Sequence, residues 1–230
     1  MSIEKFGAPL RSIRSFVRRE SRMSNSARHQ LQELWPRYGA DAAQLVDPAT
    51  LFGRAAPLHI EIGFGKGDSL LALAQAHPEY NVLGIEVYRP GAAHCMTEAA
   101  RLGLHNLRVA IEDAKEMLDN KIPDGSISAL YVFFPDPWPK TRHHKRRLIN
   151  PEFAALVARK LQVGGLWRLA TDWAHYAEQI LEVLNAESAL INANPEHGYV
   201  PRPDARPLTR FEQRGQRLGH AVFDLAYRRR

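Results

Sequence analysis

The chain has 230 residues, is 45% hydrophobic and carries a formal net charge of +6. This length fits one α/β domain with an appendage, or two small domains, and the basic charge favours anionic partners such as nucleic acid or an anionic membrane surface. No apolar run approaches the ~18 residues that a membrane span needs, and the N-terminus lacks the apolar part of a signal peptide. The single cysteine, Cys95, excludes an internal disulfide framework and a cysteine-ligated zinc site, so a reducing, cytoplasmic location is expected.

Basic residues are concentrated at both ends and in the middle of the chain. The N-terminal arm, residues 1–30, has seven lysines and arginines against two glutamates, and the basic segment, residues 140–147, has five against no acid. The chain ends in three arginines, residues 228–230. We expect the N-terminal arm to be loose until an anion orders it, although a plain disordered leader fits the same composition. The three clusters could meet on one surface.

Taken in chain order, the pattern first predicts a short helix over residues 27–38 that ends near Pro36, then a loop over 39–56. From Leu58 onward, short apolar strands alternate with amphipathic helices. Strands are predicted to begin at Leu58 and to cover 81–87, 107–111, 129–134 and 164–173, and helices to cover 68–76, 90–104, 114–118, 151–161 and 175–186. Asp68 or Ser69 is expected to cap the first of these helices.

This alternation predicts βαβ units and a mostly parallel sheet. The last part, from His197, has strand signals without long helices, in HGYV and in HAVFDLAYR, and predicts an antiparallel edge pair. Residues 1–56 are therefore assigned to the basic arm and the short helix, and residues 57–230 to the α/β domain.

A carboxylate stands at or near the end of each of the five predicted parallel strands. In sheets of this kind, ligands bind beyond the carboxyl ends of the strands. The sequence therefore predicts a site at that edge, with acids from five separate parts of the chain: Glu61, Glu86, Asp113, Asp136 and Asp172.

The glycine turn, residues 63–67 (GFGKG), lets backbone approach a ligand just before a helix begins. Glu86 follows at the spacing of an acid that accepts hydrogen bonds from two ribose hydroxyls. Together they predict a cofactor that contains adenosine. Glu61 can face a cationic amino-acid tail and Asp113 can bond an adenine amino group, which favours S-adenosylmethionine over a nicotinamide dinucleotide.

The proline turn, residues 134–140 (FPDPWPK), holds Asp136 between two prolines and so restricts its backbone. Trp138 can stack on a base, although a core tryptophan fits as well. The basic segment behind it can contact phosphates. His143 and His144 lack partners at metal-ligand spacing, so we interpret them as RNA-facing or solvated and expect no metal.

Near the C-terminus, residues 209–212 (TRFE) place a hydroxyl, a guanidinium, a ring and a carboxylate in succession. This set can close over a purine, while an ordinary structural loop is the alternative.

With these motifs assembled, the chain resembles the bacterial tRNA (guanine-N(7)-)-methyltransferase family from about residue 11 to residue 227. The resemblance is carried by RSFVRRE, EIGFGKGDS, GIEVYRPG, NLRV with Asp113, FPDPWPKTRHHKRR, TDW with Tyr176, and TRFEQRGQRLGH. It implies a Rossmann-like class I fold over residues 57–230 that depends on S-adenosylmethionine. It also implies methyl transfer to N(7) of guanosine 46 in the tRNA variable loop, with tRNA as the partner and no obligate protein partner evident.

The resemblance also implies roles for individual residues, with Asp136 as the catalytic one. The positions implied to bind the cofactor are Glu61, Gly63, Gly65, Glu86, Asp113 and Asp136. Those implied to bind the substrate guanosine are Lys140, Asp172, Thr209, Arg210, Phe211 and Glu212. Those implied to meet the RNA are Arg142, His143, His144, Lys145, Arg146 and Arg147. Departures from the family pattern stand at Lys66, Tyr88 and Thr141.

Three other classes of function stay open from the residues themselves. One is a methyltransferase with a protein or small-molecule acceptor, against which the basic segments argue. Another is a non-catalytic RNA-binding module that keeps the fold, against which the intact acids argue. The third, a nicotinamide-dependent oxidoreductase, rests on the glycines alone.

Overall fold

The computed structural model describes residues 23–40, 47–204, 206–208, 212 and 221–230. The basic N-terminal arm lies outside these residues as far as residue 22. The described strands are β1 (Leu58–Ile62), β2 (Asn81–Ile85), β3 (Leu107–Ala110), β4 (Ile127–Phe133), β5 (Leu161–Thr171), β6 (Leu190–Asn192) and β7 (Phe223–Arg229). They form one sheet in the order β3-β2-β1-β4-β5-β7-β6. The first five strands are parallel and β7 is antiparallel to both of its neighbours, which confirms the predicted α/β class and the antiparallel C-terminal edge.

Helices alternate with the strands, as the hydrophobic periodicity predicted. Their bounds are α1 (Asn25–Tyr38), α2 (Pro48–Phe52), α3 (Asp68–Ala76), α4 (Arg89–Arg101), α5 (Ala114–Lys121), α6 (Pro151–Lys160) and α7 (Ala174–Ala186), with a 3-10 helix, η1, over Thr141–Arg146. The prediction of an unbroken loop over residues 39–56 is wrong, because the Asp47 carboxylate caps the short helix α2 by accepting from the Ala49 and Thr50 N–H groups. The prediction that Asp68 or Ser69 caps α3 is also wrong, since its N-cap is Gly67.

The first helix, predicted over residues 27–38, begins two residues earlier and ends at Tyr38 as predicted, so the chain stays helical past Pro36. Tyr38 is fully buried, and its hydroxyl donates to the Leu104 carbonyl at 3.1 Å. The chain then bridges from Gly39 to Val109 of β3. These contacts fasten α1 to the edge of the sheet rather than leaving it in a separate arm.

Both faces of the sheet are covered by helices. Because side chains alternate along a strand, Ile60 and Val132 face a core formed with α5, α6 and α7. Val82 and Val109 face a second core, formed with α1, α3 and α4. Burial on both faces explains why the parallel strands are mostly apolar rather than alternating, with buried polar exceptions such as Glu61 in β1.

The antiparallel edge differs in its pairing from the prediction. HGYV contributes only the isolated bridge from Val200 to Asp224, and the short strand β6 takes the place beside β7. Because β7 runs antiparallel to β5, the C-terminal arginines lie beside the beginning of β5, and the Arg229 guanidinium donates to the Leu161 carbonyl. The expectation that the C-terminal cations share a surface with the basic segment is therefore wrong. The C-terminal arginines lie near the N-terminal ends of the parallel strands, whereas the basic segment follows the C-terminal end of β4.

A buried ion network joins the segment after β6 to the sheet. Arg206 donates to both carboxylate oxygens of Glu212, at 2.8 and 3.1 Å, and to Asp224 of β7 at 2.9 Å. The partly exposed Arg202 reaches Glu212 at 3.0 Å. The Arg206 guanidinium also lies 5.4 Å from the centre of the Phe133 ring at the end of β4. Burial raises the pKa of Asp224, while the Arg206 charge opposes that shift.

Replacing Arg206 by methionine should destabilise the protein strongly, because Glu212 and Asp224 would stay buried without their cation. Breaking a buried pair in this way costs about 3–5 kcal/mol. Urea denaturation should show that loss for Arg206→Met and a much smaller one for Arg202→Met, whose side chain is 30% exposed. Equal losses for the two variants would show that the network is not centred on Arg206.

Candidate active site

The glycine turn between β1 and α3 forms an open cradle. Gly63, Gly65 and Gly67 have φ values of 74°, 59° and 93°, in the left-handed region that side chains disfavour. No atom of the described residues lies within 4 Å of the point where a Cβ at Gly63 or Gly65 would sit. The turn therefore exposes backbone to a ligand that can approach closely.

The first two turns of α4 pack closely against the glycine turn. A Cβ on Gly91 would lie 2.0 Å from the Gly65 carbonyl oxygen, and one on Gly67 would lie 2.6 Å from the Cys95 sulfur. Gly91 is thus needed for close packing of α4 against the turn. The sequence contained it in the GIEVYRPG motif, but nothing in that motif revealed its contact. Burial raises the pKa of the Cys95 thiol, so this cysteine serves packing.

Glu86 connects the end of β2 to the glycine turn. Its carboxylate accepts from the N–H groups of Gly65 at 2.8 Å, Val87 at 2.7 Å and Tyr88 at 2.9 Å. A carboxylate has about four acceptor positions, so one remains for a ligand hydroxyl. The departure at Tyr88 leaves this arrangement intact, because Tyr88 contributes its backbone N–H.

Glu61 is a buried acid in β1, with the Ser69 hydroxyl donating to it. Its pKa is raised from 4.5 to about 7, mainly by burial and also by the negative charges of Glu86 and Asp68, while the Ser69 hydrogen bond acts in the opposite direction. A cationic ligand group beside Glu61 would favour its ionised form.

Asp113, which follows β3, has a structural role as a helix cap. It is the N-cap of α5, and its Oδ1 accepts from the Lys115 N–H at 2.8 Å and the Glu116 N–H at 3.3 Å. This capping fixes the carboxylate at the end of β3. Its expected bond to an adenine amino group stays a prediction.

The proline turn has an unusual backbone on both sides of Asp136. Phe134 has φ 52° and Trp138 has φ 45°, and neither is a glycine. Such conformations cost roughly 1–3 kcal/mol each and persist where surrounding contacts impose them. One such contact is the bond from the Phe134 N–H to the Ala170 carbonyl of β5, at 2.7 Å. Asp136 itself is exposed.

The strand register brings three of the acids to one edge. Ile62 pairs with Ile85 on one side and with Val132 on the other, so β1, β2 and β4 end at the same level. Glu86 and Asp136 follow β2 and β4, the two strands that pair with β1 on either side. Asp172 follows β5, the next strand along.

The basic segment folds back on the proline turn. Arg142 and Lys145 of η1 are exposed, as is Lys140 just before it. The Arg146 guanidinium lies 5.1 Å from the centre of the Trp138 ring, and His143 meets the same ring edge-on. Trp138 thus packs against the basic segment and is only partly available for a base.

The two histidines of this segment have lowered pKa values. Desolvation and the neighbouring Arg142 lower the pKa of His143, while desolvation and Arg147 lower that of His144. These shifts favour the neutral form of both rings at pH 7.

Two of the expected substrate or RNA residues are buried. Arg147 is 1% exposed and directs its guanidinium inward, so it does not lie on the RNA-facing surface expected for the whole basic segment. Glu212 is fully buried against Arg206. Thr209, Arg210 and Phe211 lie outside the described residues.

Across the described ranges, no group of three or more His, Cys, Asp or Glu is placed to hold a metal ion. In the same ranges, no helix has the length and apolar character to cross a membrane.

The contribution of Glu61 to the stability of the ligand-free protein should fall as pH rises from about 4.5 to 7. Its folded pKa is raised, so the folded state holds a proton that the unfolded chain releases, and this advantage is lost above the folded pKa. The loss is on the order of 3 kcal/mol at about 1.4 kcal/mol for each pKa unit. Urea denaturation of Glu61→Gln should therefore show more stability than wild type at pH 8 and no gain at pH 4. An equal gain at both values would contradict the assigned pKa.

Comparison with known proteins agrees with this geometry. A family model described as a putative methyltransferase matches residues 55–225. The tRNA (guanine-N(7)-)-methyltransferase of Salmonella choleraesuis is 52% identical over 97% of this chain and 94% of its own length. That of Methylococcus capsulatus is 53% identical over 96% of each chain.

Solved structures resemble the fold at low sequence identity. The 16S rRNA methyltransferase KamB superposes with a TM-score of 0.56 at 16% identity, covering 93% of this chain and 97% of that one. A 16S rRNA (adenine(1408)-N(1))-methyltransferase mutant from Catenulisporales acidiphilia gives 0.52 at 15% identity, covering 80% and 91%. The fold is the Rossmann-like class I fold that the sequence predicted. Because curated relatives above 50% identity match almost its whole length, this chain belongs to the tRNA (guanine-N(7)-)-methyltransferase family.

Proposed function

We propose that this protein transfers a methyl group from S-adenosylmethionine to N(7) of guanosine 46 in the variable loop of tRNA. Family membership supports the reaction. The observation that carries the proposal is the position of Asp136: exposed, held in a strained turn, at the same edge as the glycine cradle and backed by the exposed cations of the basic segment. A polyanionic substrate and a cationic reaction centre need that combination.

The cradle suits the cofactor. S-adenosylmethionine, when bound, supplies a methyl group activated by a sulfonium. Gly63 and Gly65 leave space for close approach, and Glu86 keeps one acceptor position for a ribose hydroxyl. Glu61 would face the cationic amino-acid tail, with Asp113 and Asp136 completing the set proposed to hold the cofactor.

Asp136 would act through its charge rather than as a base. N(7) of guanine has a free lone pair at neutral pH, so no proton must be removed before methylation. The alkylated base becomes cationic, and a fixed carboxylate nearby stabilises that developing charge. Positioning of the base is the second requirement.

Asp172 would orient the guanine by accepting hydrogen bonds from its N–H edge, and Lys140, Thr209, Arg210 and Phe211 belong to the same proposed set of substrate-binding residues. Glu212 already binds Arg206 through both oxygens. Because Glu212 is also fully buried, the proposal places more of the guanine-recognition role on Asp172.

The proposal extends to partners and location. The exposed Lys140, Arg142 and Lys145 favour an RNA acceptor over a protein or a small molecule. A tRNA substrate and the single buried Cys95 suit the cytoplasm. No obligate protein partner is part of the proposal.

The deciding experiment maps the methylated nucleotide in tRNA that lacks this modification, after treatment with the purified protein and labelled S-adenosylmethionine. Methylation at N(7) of guanosine 46 is expected. Label at another nucleotide would overturn the assigned position. Calorimetry that detects no binding of S-adenosylmethionine would favour a non-catalytic RNA-binding module instead.

Replacing Asp136 by asparagine should lower the single-turnover rate of methyl transfer by about 100-fold or more, because the fixed charge is lost while the turn keeps its shape. The matched control is Asp119→Asn, at an exposed position of α5 that pairs with Arg159. That control should keep the wild-type rate. A near wild-type rate for Asp136→Asn would remove Asp136 from the reaction centre.

Binding of tRNA should weaken steeply with salt, and the exposed cations of the basic segment should account for part of that slope. Replacing Arg142 or Lys145 by alanine should flatten the slope of log affinity against log salt by roughly one unit each. Arg228→Ala provides the control, since Arg228 is exposed near the N-terminal ends of the parallel strands. An unchanged slope in the first two variants would take η1 out of the interface.

A further inference from the structure

Arg147 is the one arginine of the basic segment that points inward. We propose that it is a positioning residue for methyl transfer, which holds the proline turn against α7, and that it makes no contact with RNA. This inference rests on the proposed function, and it separates Arg147 from the exposed cations beside it in sequence.

The Arg147 guanidinium binds groups from both sides. Its Nε donates to the Pro137 carbonyl at 2.8 Å. Its Nη1 donates to the Gln179 side-chain oxygen and lies 3.1 Å from His175 Nδ1. Its Cζ atom lies over the Tyr176 ring, 4.7 Å from the ring centre. One side chain thus links the proline turn to the first two turns of α7.

The Pro137 carbonyl is a sensitive place for such a link. Pro137 directly follows Asp136, and Trp138 after it has the left-handed φ of 45°. A charged donor on that carbonyl fixes the peptide between the catalytic carboxylate and the strained residue. Because small displacements of a catalytic group reduce rates steeply, this bond sets where Asp136 lies.

The other end of the link is α7, which begins close to Asp172 in the sequence. The helix α7 begins at Ala174, two residues after Asp172. Two further bonds hold the chain beyond Arg147 to α7: the Ile149 N–H donates to the Tyr176 hydroxyl at 3.1 Å, and Gln179 donates to the Ile149 carbonyl at 3.3 Å. Arg147 therefore couples the ends of β4 and β5, which carry the proposed charge-stabilising and guanine-orienting acids.

Direct RNA contact is incompatible with this geometry. Arg147 is 1% exposed, and its Nη2 is buried without a hydrogen-bond partner among the described residues. To reach a phosphate, the guanidinium would have to give up three polar contacts and an aromatic one. A lysine cannot replace it, because a single ammonium lacks the planar fork that reaches two elements at once.

The test uses Arg147→Lys, which keeps the charge and removes the fork. Single-turnover methyl transfer at saturating tRNA and cofactor should fall about tenfold or more, while tRNA affinity and its salt slope stay at wild-type values. The matched control is Arg159→Lys, at a half-exposed position at the far end of α6, which should change neither quantity.

Two results would overturn the inference. One is a wild-type rate in Arg147→Lys; the other is a salt slope flattened by about one unit, as a phosphate contact would give. Failure of wild type itself to methylate tRNA would refute the proposed function instead.

A second variant keeps the inference testable if Arg147→Lys does not fold. Gln179→Met preserves shape and removes the acceptor of Nη1, and a folded variant should lose about threefold or more in rate without a change in salt slope. An unchanged rate in that variant would overturn the inference.

Discussion

The backbone of the proline turn is the constraint on which the site depends. Two non-glycine residues, Phe134 and Trp138, are left-handed on either side of Asp136. Strain of this kind persists only when neighbouring groups impose it. The Phe134 N–H is bound to β5, the Pro137 carbonyl is bound to Arg147, and the Phe134 ring lies under Arg206, 5.5 Å from its guanidinium. Two buried arginines from distant parts of the chain thus hold one exposed acid in place.

The acids near the glycine turn carry an electrostatic cost rather than a backbone strain. Glu61 is buried, with Glu86 and Asp68 adding negative potential around it, and its pKa is raised to about 7 as a result. An unliganded pocket of this kind favours a neutral Glu61, whereas a cationic ligand favours the carboxylate. If Glu61 binds the cationic tail of the cofactor as proposed, the empty site would cost stability near neutral pH and the ligand would recover part of that cost, which is the trade between stability and function that binding sites commonly show.

Hydrophobic periodicity was sufficient to predict the α/β frame, because both faces of the parallel strands are buried and each helix has one apolar side. The helix over residues 68–76 was predicted with the bounds that α3 has. Short elements were missed because their formation depends on local caps and tertiary pairing: α2 begins at the Asp47 cap, and β6 has only three residues. The position of the acids at or just after the strands could be predicted because strand ends are recognisable in sequence. The inward direction of Arg147 and the pairing of Glu212 were not, since a run of polar residues in a loop or 3-10 helix has no apolar period that marks its buried side.

The same limit applies to the charge. A net charge of +6 suggests a broad field for RNA, yet the cations of this chain serve different ends. Arg206 and Arg147 are buried for structure, Arg229 binds carbonyls at the opposite end of the strands, and the lowered pKa values of His143 and His144 favour their neutral forms. In the basic segment, Lys140, Arg142 and Lys145 remain exposed, and Arg146 lies over the ring of Trp138, two residues after Asp136. A few cations next to one acid orient a substrate better than a diffuse field does, because phosphate contacts fix register and direction as well as affinity. In the proposed function, position rather than total charge would therefore decide how this surface presents one guanosine to Asp136, beyond the end of β4.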